Sequence, residues 1–280
     1  MTPPSARKPL AVLLLIFVPT VWGCHKLQGR QHFHSGNAYY EDEQYRKALD
    51  EYARGLELDA AATMVWRSVG LAALALYRPG EESPENQQLG ETAIDAFRKY
   101  TEAYPEDEKA REYLVTTLMN AKRYDEAIAV LEEDARRHPE DKKYTQAVVR
   151  ALTEAGNLPQ AMQRARQLRD ADVFYTIGTS AWAKSYYTPP ASVEEHRALI
   201  ELGLGALDEA NKIRPDHFDT LSYLNLLWRE KVKVEIDPFK QQEYIANAQR
   251  YFDRAMVIRK QQQEQEQKKA KEQPAAAAAG

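Results

Sequence analysis

The sequence is short of reactive chemistry. It has one cysteine, Cys24, in 280 residues, which excludes an intramolecular disulfide framework and a cysteine-built zinc site. Glycine is scarce, at 12 residues, and no P-loop, HExxH or nucleophile-elbow motif is present. The charge balance, 42 acids against 38 bases, lacks the basic excess of a nucleic-acid-binding surface. No apolar run reaches the roughly 20 residues that a membrane-spanning helix needs. The longest, residues 10–18, is stopped by Pro19. What remains is a chain 44% hydrophobic and 29% charged, filled by Ala, Leu, Glu, Lys, Arg and Gln. These are helix formers, so an all-α fold is expected.

The N-terminus reads as a separate object. Arg7 and Lys8 precede the apolar run, and small and apolar residues lead on to Gly23 and Cys24. A charged start, a short apolar stretch and a small-residue exit are the signature of a secretory signal peptide. The four residues VWGC resemble a bacterial lipobox, with Trp22 standing where a small residue is usual. The resemblance implies lipidation at Cys24 after removal of residues 1–23; ordinary signal-peptidase cleavage and an uncleaved anchor are the alternatives. Loss of the signal would leave a net charge of −6, so membrane attachment would come from acyl chains and not from attraction to anionic headgroups.

Beyond residue 28 a pattern recurs: an aromatic or Leu, two residues, Ala, three residues, an aromatic or Leu, and often Pro eight residues later. Tyr45, Ala48 and Tyr52 begin it. Ala93, Phe97 and Pro105 repeat it, as do Tyr124, Ala127, Leu131 and Pro139, then Leu158, Ala161 and Ala165. Ala93, Ala127 and Ala161 are 34 residues apart, and further copies fall at Gly203, Leu207 and Pro215 and at Ala248, Phe252 and Ala255. Upstream of each copy lies a second helical signature with small or aromatic residues, such as Gly36, Gly70 and Gly178. The chain therefore resembles the tetratricopeptide-repeat family, of the bacterial lipoprotein type, most clearly in EKAREYLVTTLMNAKRYDEAIAVLEEDARRHP. The resemblance implies a right-handed α-solenoid of about six helix–turn–helix repeats over 29–262. Residues 24–28 form a lipidated linker, and the low-complexity residues 263–280 are expected to be a disordered tail whose first half could extend the last helix. Three repeats exceed the period by 8 to 11 residues, in YRPGEESPENQQLG, SYYTPPASVEEH and KVKVEIDPFKQQEY. Each reads as a longer helix pair with an extended loop between its helices A and B.

No constellation supports catalysis, a metal or a cofactor. His32 and His34 are two apart and do not face each other on a helix. The family resemblance instead implies a groove lined by helix-A residues. Carried over by register, these are Arg30, Phe33, Asn37 and Tyr40; Lys109, Glu112, Thr116 and Met119; Lys143, Gln146, Arg150 and Thr153; and Tyr175, Thr179, Trp182 and Tyr186. The last four form an aromatic stripe that serves either as groove or as core. The carboxylate clamp of some family members needs Lys–Asn pairs, and only Asn37 fits. The expected function is a non-catalytic, lipid-anchored adaptor that binds a protein or peptide partner in the bacterial envelope, facing the periplasm, with no nucleic acid involved. Because His25 and not Asp follows Cys24, sorting in a diderm would favour the outer membrane. The alternative is an envelope enzyme or glycan-binding protein using the stripe around Trp182.

Overall fold

The computed structural model describes the backbone of residues 18–277 and the side chains of residues 25–269. Most of the segment expected as a signal peptide, and the side chain of Cys24, lie outside the described residues. Within them the chain is all-α, with twelve helices and no strand. It divides into two compact units, Met1–Arg123 and Tyr124–Gly280.

The N-terminal unit holds α1 (Val18–Glu41), α2 (Tyr45–Leu58), α3 (Val65–Leu76), α4 (Pro84–Ala103) and α5 (Glu108–Asn120). Here α1 packs on α2 and α3 on α4, while α2 meets α3 and α4 meets α5. The C-terminal unit holds α6 (Tyr124–Arg137), α7 (Lys142–Glu154), α8 (Leu158–Leu168), α9 (Ala171–Tyr187), α10 (Val193–Ile213), α11 (Phe218–Lys233) and α12 (Pro238–Ala277). In it α7 pairs with α8, α9 with α10 and α11 with α12, and α9 also touches α7 and α11.

The recurrent alanines explain the pairing. Ala48, Ala93, Ala127 and Ala161 are completely buried, and Ala248 is 1% exposed. A methyl group at this position lets the neighbouring backbone come close, and larger residues one turn later fill the space beside it. The short turns between helices follow one plan. In the α1–α2 turn the Gln44 N–H donates to the Tyr39 carbonyl at 2.8 Å, and Glu43 sits at φ 59°. The α5–α6 turn repeats this with Arg123 N–H to the Leu118 carbonyl at 2.8 Å and Lys122 at φ 59°. Gly156, at φ 77°, takes the same place before α8. These are Schellman-type ends, in which a left-handed residue closes the helix.

Starts are capped by side chains. Ser83 Oγ accepts from the Asn86 N–H, with Pro84 as the first helical residue, and Asp107 Oδ1 accepts from the Ala110 N–H at 3.0 Å. Asp107 also receives the Tyr100 hydroxyl at 3.0 Å. The Ala110 N–H above all, with the Tyr100 hydroxyl and Arg67 adding, holds the Asp107 carboxyl below its usual range. A depressed carboxylate contributes stability above its unfolded pKa and loses it as pH falls through the folded value. Asp107→Ala is therefore expected to cost about 1 kcal/mol at neutral pH, read from the urea midpoint. The cost should shrink below about pH 4, and Asp107→Asn, which keeps an acceptor but not the charge, should cost less than Ala at neutral pH and lose the pH dependence.

The extra residues of the longer repeats go mostly into helix. α4 has 20 residues and α10 has 21, and the connections ahead of α4, α10 and α12 span only 77–83, 188–192 and 234–237. Pro84 and Pro238 are first helical residues, where a missing N–H costs nothing. The extension of the last helix into the tail, which the sequence allows, carries α12 to Ala277. Its Gln, Glu, Lys and Ala residues favour helix, and its side chains are solvent-exposed through residue 269. Among the described residues no helix is long and apolar enough to cross a membrane.

Candidate partner-binding face

In the N-terminal unit, α1 carries Arg30, Phe33, Asn37 and Tyr40. Arg30 is exposed. Phe33 belongs to the α1–α2 seam: a Cβ on Gly55 would lie 2.2 Å from its ring. Asn37 accepts the Tyr52 hydroxyl at 2.8 Å. Asn37, Tyr40, Glu41, Tyr52, Ser68 and Leu71 line a shallow cavity of about 150 Å³. Tyr40 meets Tyr45 edge-on at 5.3 Å, and burial, reinforced by the Tyr45 phenol, pushes its own phenol up. On α5, Lys109 and Glu112 pair with each other at 2.7 Å. Thr116 is exposed and Met119 half-buried.

In the C-terminal unit, α7 and α9 enclose a cleft of about 250 Å³. Gln146, Arg150 and Thr153 reach it from α7 and Asp172, Val173 and Thr176 from α9, with Val149 and Asp170 completing the lining. Asp170 caps α9 through the N–H groups of Asp172 and Val173 and accepts from Gln146 Nε2 at 3.2 Å. Arg150 is paired with Glu154 at 3.2 Å, and Lys143 with Asp141 at 3.1 Å. Asp172 is ion-paired with Arg214. The floor of the cleft is apolar and its rim carries both charge signs.

The aromatic stripe divides into two parts. Tyr175 meets Tyr223 of α11 edge-on at 5.7 Å, and Trp182 meets the same ring at 5.2 Å. Both lie half-buried against the core of Ile200, Leu204, Leu207, Leu224, Leu227 and Val234. Burial, with the Asp219 carboxylate and the Tyr223 phenol adding, pushes the Tyr175 phenol up. This end of the stripe is a seam between α9 and α11. Thr179 is half-buried beside it and donates to the Thr176 carbonyl at 3.0 Å.

At the other end Tyr186 stacks on Trp182 at 5.5 Å and Tyr187 meets both rings edge-on. Tyr186 is 53% exposed and Tyr187 70%. Lys233 Nζ lies 5.1 Å from the Tyr186 ring centre. The stripe by sequence spacing omits Tyr187, which lies five residues past Trp182, off the i+4 and i+7 rows. It also omits Tyr223, which comes from another helix and joins only through packing. Among the described residues no group of three His, Cys, Asp or Glu side chains could hold a metal ion.

Residues 87–150, from α4 to α7, match the family model of the tetratricopeptide repeat. Comparison with curated proteins finds no match. Among solved structures, the chain is similar to MamA from Desulfovibrio magneticus RS-1, at 14% identity and TM-score 0.42, over 71% of this chain and 96% of that one. It is also similar to YrrB, described as a tetratricopeptide-repeat protein with an unusual peptide-binding site, at 21% identity and TM-score 0.42, over 73% of this chain and 96% of that one. A tetratricopeptide-repeat protein from Bacteroides fragilis is similar at 17% identity and TM-score 0.43, over 71% of this chain and 97% of that one. The family model spanning α4 to α7, the 34-residue period and the sealed alanine in successive second helices place tetratricopeptide repeats in this chain.

Proposed function

We propose that the protein is a non-catalytic, lipid-anchored scaffold of the bacterial envelope that holds a protein or peptide partner on its helix-A faces. The observation that carries the partner reading is the free end of the aromatic stack on α9. Tyr186 and Tyr187 are large, rigid side chains supported from below by Trp182 and left open to solvent. Such side chains make strong interface anchors at small entropic cost. The cations on the helix-A register of α7, Lys143 and Arg150, are each neutralised by an acid from their own segment, as is Lys109 on α5 of the N-terminal unit. A partner would therefore be selected by shape and apolar contact more than by net charge.

Two further observations support the remaining parts. Ser185 Oγ lies 2.7 Å from His196 Nε2, a nucleophile–base spacing, but Ser185 is only 2% exposed and closed to a substrate. It ties the end of α9 to the start of α10. Anchoring rests on the sequence around Cys24: with no basic surplus to bind anionic lipid, acyl chains are the means of attachment that the composition leaves. Cys24→Ser is expected to move the protein from the membrane fraction to the soluble fraction and to abolish an acyl mass at the mature N-terminus. A wild-type protein that is soluble and unacylated would remove the anchor from this proposal. The partner is tested by site-specific photo-crosslinking from Tyr187 in the native host.

A further inference from the structure

The second helix of each repeat carries a large or small apolar residue four positions after its alanine or glycine. At this position Tyr52, Phe97, Leu131, Ala165 and Leu207 are all buried, at 1%, 0%, 7%, 0% and 0% exposure. In α12 the same position is Phe252, and it is 43% exposed. The residue two turns earlier behaves alike in α10 and α12. Ile200 of α10 is completely buried, whereas its counterpart in α12, Ile245, is 55% exposed. The cause is visible at α10 and α4. Ile200 and Leu207 share a core with Leu224 and Leu227 of the next helix, and Phe97 stacks at 5.5 Å on Tyr113 of the next helix. α12 packs on α11 through Ala248 and its neighbours, and no helix follows it among the described residues. Its second apolar face keeps the residues that elsewhere receive a following helix.

That face is a stripe. Ile245, Phe252 and Met256 are spaced i, i+7, i+11, and Gln249 fills the intervening step. We propose that the stripe is a homodimer interface, in which α12 of a second copy packs antiparallel against α12 across a two-fold axis. Three features select a second copy. A two-fold axis perpendicular to a helix produces an antiparallel helix pair, the relation a helix–turn–helix array gives to successive helices. One stripe then supplies both sides: in the register that sets Ile245 opposite Met256, Phe252 comes level with Gln249 of the other copy.

The third feature is charge. Gln242 and Gln249 lie along the stripe and Arg259 and Lys260 flank it; in this register Arg259 comes level with Gln242 and Lys260 with Gln241 of the other copy, so no like charges meet across the axis and the amides offer hydrogen bonds there. In this register residues 238–263 of the two copies overlap, roughly 39 Å of α12, which runs well past the 16 residues of α11. The inference concerns a face distinct from the α9 aromatics, and it stands whether or not these hold a partner.

The test is the mass of the full chain by light scattering in mild detergent across a concentration series, alongside Phe252→Glu and Met256→Glu. The wild type is expected at twice the chain mass. Either variant is expected at one chain mass, with unchanged helical circular dichroism. A wild type that stays at one chain mass up to its solubility limit overturns the proposal, and is the result expected if another segment or a foreign helix covers the stripe. A dimer that survives both substitutions overturns it as well. Should the glutamate variants fail to fold, Gln249→Cys in a Cys24→Ser background decides: a short bismaleimide should bridge two copies, and recovery of uncrosslinked chain alone counts against the interface.

Discussion

Phe97→Ala is expected to destabilise the N-terminal unit by about 3–5 kcal/mol, a large share of what a domain of this size has in reserve. Phe97 is completely buried. It is covered on one side by the Tyr113 ring at 5.5 Å, and on the other it lies on Gly70, where a Cβ would come within 2.7 Å of a ring carbon. Helices α3 and α5 are both held through this one side chain, so its removal opens a cavity that neither can close alone. The same geometry predicts non-additivity. Gly70→Ala in the wild type drives a methyl group into the ring and is expected to destabilise. In the Phe97→Ala background the methyl group enters the cavity, and helix propensity adds to it, so the sign should reverse. Four urea titrations forming a double-mutant cycle measure this. Additive effects would show that the ring does not rest on Gly70.

A second pair of substitutions should separate in sign. Gly178 of α9 and Gly205 of α10 are both helical glycines, and by propensity alone each would gain about 1 kcal/mol on change to Ala. Around Gly205 an added Cβ meets nothing within 4 Å, and Gly205→Ala is expected to stabilise by about that amount. At Gly178 the Cβ would lie 2.5 Å from Leu207 Cγ and 3.2 Å from the Gly203 carbonyl oxygen. Leu207 is completely buried in the core between α10 and α11 and has no room to retreat. Gly178→Ala is therefore expected to destabilise by about 1–3 kcal/mol, and Gly178→Val by more. Thermal or urea midpoints shifted in the same direction for Gly178→Ala and Gly205→Ala would contradict this account of how α9 and α10 touch.

Much of the helix packing was legible in sequence because it rests on few, local rules. A small residue recurring at 34 positions has one purpose in a helix pair, and the structure seals Ala93, Ala127 and Ala161, as it does Ala48 ahead of a longer repeat. The added residues were harder. Pro79, Gly80 and Pro84 read together as a loop, yet Pro84 starts α4, because proline interrupts a helix interior and not its first turn. That Gln146, Arg150 and Thr153 share one side of α7 was legible by register, and the three line one cleft. It was less so in α1, where Phe33 turns to Gly55 because that glycine leaves a hole the size of a ring. Periodicity marks which residues share a side of a helix. It does not mark the α9 position at which burial gives way to exposure, since that depends on where Tyr223 of α11 ends its cover.

The central functional claim is that the helix-A side, and not the helix-B side, meets a partner. A photo-crosslinking amino acid placed at Tyr187 on α9, compared with one at Gln167 on α8, both exposed, tests it in the native host. Both variants should retain wild-type melting. The account predicts a discrete crosslinked species from position 187 that is absent from position 167 and lost on Tyr186→Ala. Equal labelling from both positions, or a species from position 167 alone, would contradict it.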